Sequence, residues 1–218
     1  MTRVGAVVLA AGVSSRMGCP KLLMPWGDGP LVARAVGAAL GARVDPVVVV
    51  LGHRAEEVRR ALEPLAVPAG GRLVTVLNPD YLDGGQSSSV RTGIASLPDE
   101  AAGAVFVLGD QPLVRSEHID LLVDRFARLR AHRGDGLILV PAFGGRRGNP
   151  VLFGRRLVQE LVSLRGDEGG RSLLRSHPEA VVEVPAGEEV LLDVDTREDY
   201  ERLRGRVDTQ GRRPGPGT

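Results

Sequence analysis

Short apolar runs alternate with segments of helical period along most of this 218-residue chain. Each run has about the length of a buried strand, is rich in Val, Leu or Ile, and ends at turn residues. The clearest runs are residues 4–9, 46–51, 73–77, 104–108 and 136–140. Because strands that alternate with helices form a largely parallel sheet covered on both faces, we predict an α/β fold with three layers, in which helices lie on either side of a mostly parallel sheet.

The pattern changes after about residue 140. The elements predicted there are strands at 151–153, 181–184 and 190–194 and short helices at about 155–164 and 170–174. A last helix begins at Thr196, with Asp199 three residues later in capping-box spacing. We interpret residues 1–204 as a single domain and expect residues 205–218, which are rich in Gly, Arg and Pro, to be disordered.

Composition narrows the possible partners and compartments. Hydrophobic residues make up 43% of the chain and charged residues 25%, which is ordinary for a globular protein. The net charge of +1 gives no general electrostatic reason to bind nucleic acid or acidic membranes, so we expect neither partner. A lone cysteine, Cys19, excludes an internal disulfide. The first apolar run is too short to span a membrane, and we expect a cytoplasmic protein.

The segment that follows the first apolar run, residues 9–21, reads LAAGVSSRMGCPK. Its small residues let backbone N–H groups face a ligand, its glycines permit positive φ angles, and its hydroxyls and cations can bind phosphate oxygens. These groups belong to Gly12, Gly18, Ser14, Ser15, Arg16 and Lys21. The spacing fits neither a Walker A loop nor the GxGxxG fingerprint. We predict a phosphate-binding loop at the carboxyl edge of the sheet; the alternative is a tight strand-helix connection with ordinary surface charges.

Acidic residues follow two other apolar runs. Residues 105–110, VFVLGD, end in Asp110, and Gly109 before it leaves room for a ligand. A carboxylate at the end of a strand, beside a phosphate loop, can bind Mg²⁺ through one or two oxygens. Asp193 and Asp195 are candidates for a second metal ligand, and their alternation lets only one of them face the site. Asp110 as a helix cap, and Asp195 as a solvated residue before a helix, are the alternatives.

Residues 84–91, GGQSSSVR, open a predicted helix with a run of serines. Hydroxyls and unpaired backbone N–H groups at a helix N-terminus can bind a base, a ribose or a phosphate. Ser87 or Ser88 can equally serve as a simple N-cap.

Residues 9–27, LAAGVSSRMGCPKLLMPWG, together with GDQP at 109–112, resemble the signature of the MobA-like nucleotidyltransferases, and within them of the molybdenum-cofactor cytidylyltransferases. The similarity continues to about residue 204. It implies a Rossmann-like nucleotidyltransferase fold, with a nucleotide-binding part at 1–140 and an acceptor-binding part at 141–204.

The resemblance also implies roles for individual residues. Arg16, Lys21 and Asp110 are the expected catalytic residues, and Asp110 and Asp195 are the expected ligands of Mg²⁺. The expected nucleotide contacts, which include the catalytic residues, are Leu9, Ala10, Ala11, Gly12, Ser14, Ser15, Arg16, Lys21, Ser88, Ser89, Gly109 and Asp110. Guanylyl-transferring relatives tend to carry Ala-Gly-Gly where this chain has Ala-Ala-Gly, which favours cytidine over guanosine.

Two further segments resemble the acceptor side of the family. RRGNPVLF at 146–153 is similar to an RGxPVLF stretch, and GDEGGR at 166–171 is similar to a GDxGxR loop. The implied acceptor contacts are Gln111, Arg147, Gly148, Asn149 and Arg171. Many members carry His where this chain has Asn149, and an Asn cannot titrate as a base.

The resemblance implies Mg²⁺-dependent transfer of CMP from CTP to the terminal phosphate of molybdopterin, with release of pyrophosphate. The product would serve a molybdenum hydroxylase. One alternative is guanylyl or other nucleotidyl transfer to a different phosphorylated acceptor. Another is a non-catalytic carrier of the finished dinucleotide cofactor.

Overall fold

The computed structural model describes residues 3–163, 165–166 and 169–211, with side chains as far as residue 206. These residues contain ten strands and seven α-helices. The strands are β1 (Val4–Ala10), β2 (Pro25–Trp26), β3 (Gly29–Pro30), β4 (Val47–Leu51), β5 (Leu73–Leu77), β6 (Gly103–Leu108), β7 (Ile138–Phe143), β8 (Arg146–Arg147), β9 (Val151–Gly154) and β10 (Val181–Pro185). The α-helices are α1 (Leu31–Gly41), α2 (Ala55–Ala66), α3 (Gly85–Ala95), α4 (Ser116–Arg133), α5 (Arg155–Leu161), α6 (Arg171–Ser176) and α7 (Arg197–Gly211).

The main sheet has eight strands in the order β10-β7-β9-β6-β1-β4-β5, with β8 paired to the outer part of β7. The pairs β1–β4, β1–β6, β4–β5 and β7–β10 are parallel, as predicted for a mostly parallel sheet. Strand β9 lies antiparallel between β6 and β7. The connection from β7 to β9 is too short for a crossover helix, so the chain must return in the opposite direction.

Helices cover both faces of the sheet, which confirms the predicted three-layer α/β/α fold. Successive strand residues point to opposite faces. Val8 accordingly packs among residues of α1, α2, α4 and α7, and Val7 packs among residues of α3, α5 and α6. Strand β4 is buried along its whole length, as expected of a parallel strand covered on two sides. No helix within the described residues is long and apolar enough to span a membrane.

The predicted strand at 190–194 is absent from the described sheet. A short 3₁₀ helix, Glu188–Leu191, is followed by extended chain without strand partners. The carbonyl of Val190 accepts from the N–H of Asn149, and the N–H of Val194 donates to the carbonyl of Asp110. Val190 and Val194 are buried because the segment crosses the carboxyl edge of the sheet, where its backbone pairs with loops.

The last helix begins with the predicted capping box. The N–H of Asp199 donates to Oγ1 of Thr196, and the N–H of Thr196 donates to Oδ2 of Asp199, at 3.2 and 3.1 Å. The helix continues to Gly211 instead of ending at residue 204. Residues 205–211 are therefore helical, and the rest of the predicted tail, 212–218, lies outside the described residues.

Candidate active site

A cleft of about 340 Å³ opens at the carboxyl ends of β1 and β6. The loop after β1 forms one side, the beginning of α3 forms another, and the ends of β6 and of the crossing segment supply the acids. The lining residues are Leu9, Ala11, Gly12, Ser14, Ser15, Arg16, Lys21, Leu22, Tyr81, Gly85, Gln86, Ser89, Leu108, Asp110 and Asp195. In an open α/β sheet this edge is the general position for ligands.

Four charged side chains meet in this cleft. Nζ of Lys21 lies 2.6 Å from Oδ2 of Asp110 and 2.9 Å from Oδ1 of Asp195. Nη1 of Arg16 lies 2.9 Å from the other carboxylate oxygen, Oδ2, of Asp195. The side chain of Lys21 is 12% exposed and that of Arg16 is 72% exposed. The fold thus joins the loop after β1, the end of β6 and the crossing segment in one ionic cluster.

The surroundings of Lys21 fix its charge. Burial alone lowers the pKa of the ammonium group, but the ion pairs with Asp110 and Asp195 raise it by more, so the pKa lies above its ordinary value. Lys21 therefore stays protonated at neutral pH. Burial, followed by the nearby carboxylates of Asp195 and Asp110, raises the pKa of Asp193. Of the two acids in the crossing segment, Asp195 lines the cleft and Asp193 does not.

One carboxylate oxygen in the cluster fits a cation site. Oδ1 of Asp110 is buried and has no hydrogen-bond partner among the described residues. A bound cation would satisfy it. Within the described ranges, no group of three or more His, Cys, Asp or Glu side chains could hold a metal ion. The residues fit Mg²⁺, which needs only one or two carboxylates beside substrate phosphates and water. Asp195 can contribute only if an ion pair opens, because both its oxygens contact cations.

The loop after β1 differs in detail from the predicted one. A short 3₁₀ helix, Ser15–Met17, carries Arg16 and is flanked by Ser14 at φ 57° and Gly18 at φ 64°. Gly12 does not have a positive φ, so the left-handed turn expected there falls on Ser14. A serine in this region stores strain of about 1–3 kcal/mol, a feature that clusters at ligand sites.

Ala10 and Gly109 were expected to contact the nucleotide, but they do not line the cleft. Ala10 is buried within β1. The N–H of Gly109 donates to the carbonyl of Leu9 at 3.0 Å, and a Cβ at position 109 would lie 2.9 Å from the same oxygen. The absence of a side chain at Gly109 lets the end of β6 approach β1 closely and brings Asp110 to the cleft.

The serine run at the start of α3 divides between cleft and core. Ser89 lines the cleft, whereas Ser88 does not. Oγ of Ser88 donates to the carbonyl of Gly85 at 2.8 Å, which is a bond within the helix. Ser87 likewise donates to the carbonyl of Gly84. All three serines are buried, and the structure directs only Ser89 to the ligand cleft.

A second cavity, of about 190 Å³, adjoins the cleft and shares Leu9, Gln86 and Leu108 with it. Two of the expected acceptor contacts, Asn149 and Arg171, line this cavity. Its remaining lining residues are Val90, Phe106, Val151, Phe153, Leu161 and Gly170. The rings of Phe106 and Phe153 meet edge to face, with centroids 5.8 Å apart. The cavity is therefore mainly apolar with a polar rim.

Three of the expected acceptor contacts line neither cavity. Gln111 is 2% exposed, and its buried Oε1 has no partner in the described part of the chain. Nε of Arg147 donates to Glu183 at 2.8 Å on the surface. Gly148 packs against the backbone of Val190, where a Cβ would lie 2.3 Å from the carbonyl oxygen. Arg147 and Gly148 thus contact other segments of the chain, at Glu183 and Val190, instead of facing either cavity.

The profile of the MobA-like NTP transferase domain matches residues 6–181, which include the whole cleft apart from Asp195. This chain belongs to the MobA-like NTP transferase family. It is therefore a nucleotidyltransferase.

The relatives of this MobA-like transferase have names that refer to different functions. The molybdenum cofactor cytidylyltransferase of Escherichia coli (strain K12) is 27% identical over 201 residues, covering 92% of this chain and 95% of the relative. The purine catabolism protein PucB of Bacillus subtilis (strain 168) is 31% identical over 202 residues, covering 91% and 94%. The solved complex of Rv0371C with manganese from Mycobacterium tuberculosis H37Rv has a TM-score of 0.73 at 31% identity, covering 94% of this chain and 98% of that one.

The cleft of this MobA-like transferase also contains residues that sequence reasoning missed. They are Leu22, Tyr81, Gly85, Gln86 and Leu108. Gln86 had a detectable signal, since it is a polar residue beside the serine run at a helix start. Tyr81 had a weaker one, because it lies in the loop after β5, and only the fold shows that this loop faces the loop after β1.

Proposed function

We propose that this nucleotidyltransferase transfers CMP from CTP to the terminal phosphate of molybdopterin carrying molybdenum, with Mg²⁺ as the metal and pyrophosphate as the second product. The observation that carries the proposal is the ionic cluster of Lys21, Asp110 and Asp195, next to a second cavity of a size to hold part of an acceptor. The 27% identical E. coli relative supports the choice of cytidine and of the molybdenum cofactor, as does the Ala-Ala-Gly sequence after β1.

The cleft offers separate places for the parts of a nucleoside triphosphate. We assign the triphosphate to the cationic end, where Arg16 and Lys21 supply charge and Ser14 and Ser15 line the same wall. We assign the base and ribose to Leu9, Ala11, Gly12 and Ser89, which line the same cleft.

Asp110, with Asp195 as its partner, would hold the metal. Mg²⁺ in this position would neutralise charge on the phosphate oxygens as the bond to the leaving group breaks. The partnerless oxygen of Asp110 supports the assignment. The manganese complex of the Mycobacterium tuberculosis neighbour supports a divalent cation of this size class.

The chain needs no nucleophile of its own for this reaction. An acceptor phosphate is ionised at neutral pH and can attack the α-phosphorus directly, so positioning and charge neutralisation are the tasks left to the protein. Lys21 suits the second task because its raised pKa keeps it protonated. Arg16 is exposed and can follow the pyrophosphate as it departs.

The second cavity is the proposed acceptor site. Its apolar walls suit a flat heterocycle, Asn149 can donate and accept hydrogen bonds at the ring edge, and Arg171 can pair with a phosphate. The wall that the two cavities share, formed by Leu9, Gln86 and Leu108, supports an arrangement in which the two substrates bind side by side. The product would pass to a molybdenum hydroxylase.

The direct test is to mix the purified protein with Mg²⁺ and molybdenum-loaded molybdopterin, add each of the four NTPs separately, and measure pyrophosphate release. Release with CTP alone is expected. Release with GTP would retain the fold and the chemistry but overturn the choice of base. If the protein binds nucleotide but releases no pyrophosphate with any of the four NTPs, the result would favour another phosphorylated acceptor or the carrier function.

Asp110→Asn provides the matching variant. It keeps the shape of the side chain but removes the charge that pairs with Lys21, so we expect at least a 100-fold loss of turnover in a folded protein. Asp28→Asn is the control, because its 96% exposed carboxylate lies outside the cleft. Near-normal rates for Asp110→Asn would contradict the metal assignment.

A further inference from the structure

Asn78 follows β5 and is 1% exposed, yet it lines neither cavity. Its amide nitrogen, Nδ2, lies 2.8 Å from Oγ of Ser88 and 3.0 Å from Oγ of Ser89. Its amide oxygen, Oδ1, accepts the backbone N–H of Asp80 at 3.0 Å. All the polar atoms of this buried side chain are thus committed to the loop after β5 and to the start of α3.

The contact with Asp80 fixes which way the amide faces. A backbone N–H can only donate, so the atom opposite it must be the amide oxygen, and the nitrogen must face the serines. The two N–H groups of the amide then supply one bond to each serine. Because an amide nitrogen accepts no hydrogen bond, neither serine can direct its own hydroxyl hydrogen at Asn78.

The two serines differ in where that hydrogen can go. Oγ of Ser88 donates to the carbonyl of Gly85 at 2.8 Å, inside the helix. Oγ of Ser89 accepts from Asn78 and donates to no acceptor among the described residues, although the residue is only 7% exposed. Ser89 lines the nucleotide cleft, so its hydroxyl hydrogen can point into the cleft.

We propose that Asn78 is a positioning residue for nucleotide binding, which holds the hydroxyl of Ser89 as a hydrogen-bond donor towards the cleft. This wall of the cleft then recognises an accepting atom of the nucleotide, such as a carbonyl oxygen or an unprotonated ring nitrogen, and disfavours an N–H group at that place. The inference rests on the proposed function, in which this cleft holds an NTP. In this proposal Asn78, which does not line the cleft, determines that the wall at Ser89 selects a hydrogen-bond acceptor on the nucleotide.

The test reverses the polarity of the pair. In Asn78→Asp a carboxylate replaces the amide, so the hydroxyl of Ser89 must turn and donate to residue 78, which leaves only lone pairs facing the cleft. We expect the Kd of CTP with Mg²⁺, measured by calorimetry, to rise by about tenfold or more in Asn78→Asp and in Ser89→Ala. Asn78→Asp in the Ser89→Ala background should add less than about twofold, because the hydroxyl on which it acts is gone.

Ser88→Ala is the matched control. Ser88 accepts the other N–H of Asn78 and is equally buried, but it does not line the cleft. We expect this variant to lower Tm while the Kd of CTP stays within about twofold of the wild-type value. Equal loss of affinity in Ser88→Ala and Ser89→Ala would show that the cluster acts only through stability, and would overturn the proposal.

The remaining outcomes are also decisive. Full additivity of Asn78→Asp and Ser89→Ala would mean that the new negative charge repels the nucleotide directly, which contradicts a positioning role. If Asn78→Asp does not fold, the comparison of Ser89→Ala with Ser88→Ala still decides. A wild-type protein that binds no nucleotide overturns the proposed function and this inference together, whereas wild-type binding with an unchanged Kd in Ser89→Ala overturns this inference alone.

Discussion

Lys21 and Asp110 are 89 positions apart in sequence, and their side chains meet in the cleft with Nζ 2.6 Å from Oδ2. The same ammonium group reaches Asp195 at 2.9 Å. One largely buried cation therefore pairs with both of the carboxylates that we propose as metal ligands. Lys21 and a divalent cation compete for the same negative charge, and this competition can be measured.

Lys21→Ala should increase the response of the protein to Mg²⁺. Removal of the ammonium takes its cation from Asp110 and leaves Asp195 paired only with the exposed Arg16. The folded state should therefore bind the ion more tightly and gain more stability from it. In nucleotide-free thermal melts, we expect MgCl₂ to raise the Tm of Lys21→Ala by several degrees more than that of the wild type. An equal shift in both proteins would show that the ion does not bind at these carboxylates. Arg34→Ala, which removes a surface cation paired with Asp28, is the control.

Arg16→Ala should affect catalysis far more than stability. Its side chain is 72% exposed, and exposed ion pairs contribute about 0–1 kcal/mol to folding. A cation that meets the departing pyrophosphate should nevertheless be worth about 10- to 100-fold in kcat. Steady-state pyrophosphate release and urea unfolding of the same sample separate the two effects. A loss of stability without a loss of rate would contradict the assignment.

Arg171→Ala tests the division between cleft and acceptor cavity. Arg171 lines only the second cavity, so we expect the KM for the acceptor to rise by about tenfold or more while the Kd of CTP stays unchanged. Arg175→Ala on the same helix, α6, is the matched control, since this exposed arginine lines neither cavity. Weaker CTP binding in Arg171→Ala alone would place Arg171 at the nucleotide instead.

Asp199→Ala should show a pH-dependent loss of stability. The hydrogen bond from Arg202, above all, and those from Thr196 hold the pKa of Asp199 below its ordinary value of 3.8. A lowered pKa in the folded state means that the carboxylate stabilises above pH 3.8, and that this contribution disappears as the pH falls through the lowered pKa. Loss of the helix cap should cost about 0.5–2 kcal/mol at pH 7. Urea unfolding should show a smaller difference near pH 3, with Glu198→Ala as the control.

The alternation of strand and helix was sufficient to predict the layers and most strand positions, because buried parallel strands leave long apolar runs in the sequence. The same reasoning gave a wrong strand where an apolar segment is buried without pairing to a strand. Val190 and Val194 are fully buried, yet their segment crosses the edge of the sheet and pairs with loops. Helix α7 was also placed too short, because residues 205–211, GRVDTQG, begin and end in glycine and contain one apolar residue, which gives no helical period to recognise.

At the candidate site, the segments that the motif singled out do meet at the cleft, but not every predicted side chain lines it. Arg16, Lys21, Asp110 and Asp195 come together although three distant segments supply them. The sequence could not separate Ser88 from Ser89, since neighbouring residues on a helix point in different directions and only the position of α3 against the cleft decides between them. The role that we propose for Asn78 rests on the direction of its hydrogen bonds, which the sequence does not show.

The reversed strand β9 has a consequence for how such a protein can acquire new specificity. Because β9 runs against its neighbours, the turn before it lies at the same edge of the sheet as the cleft, and residues 143–147 of that turn are exposed. Insertions or exchanges in this hairpin can reshape the rim near Asn149 without touching the ladder between β1 and β6. Under the proposed function, this exposed hairpin lies near the acceptor and the β1–β6 ladder lies beside the nucleotide, so the hairpin is the segment to graft when a new acceptor is sought.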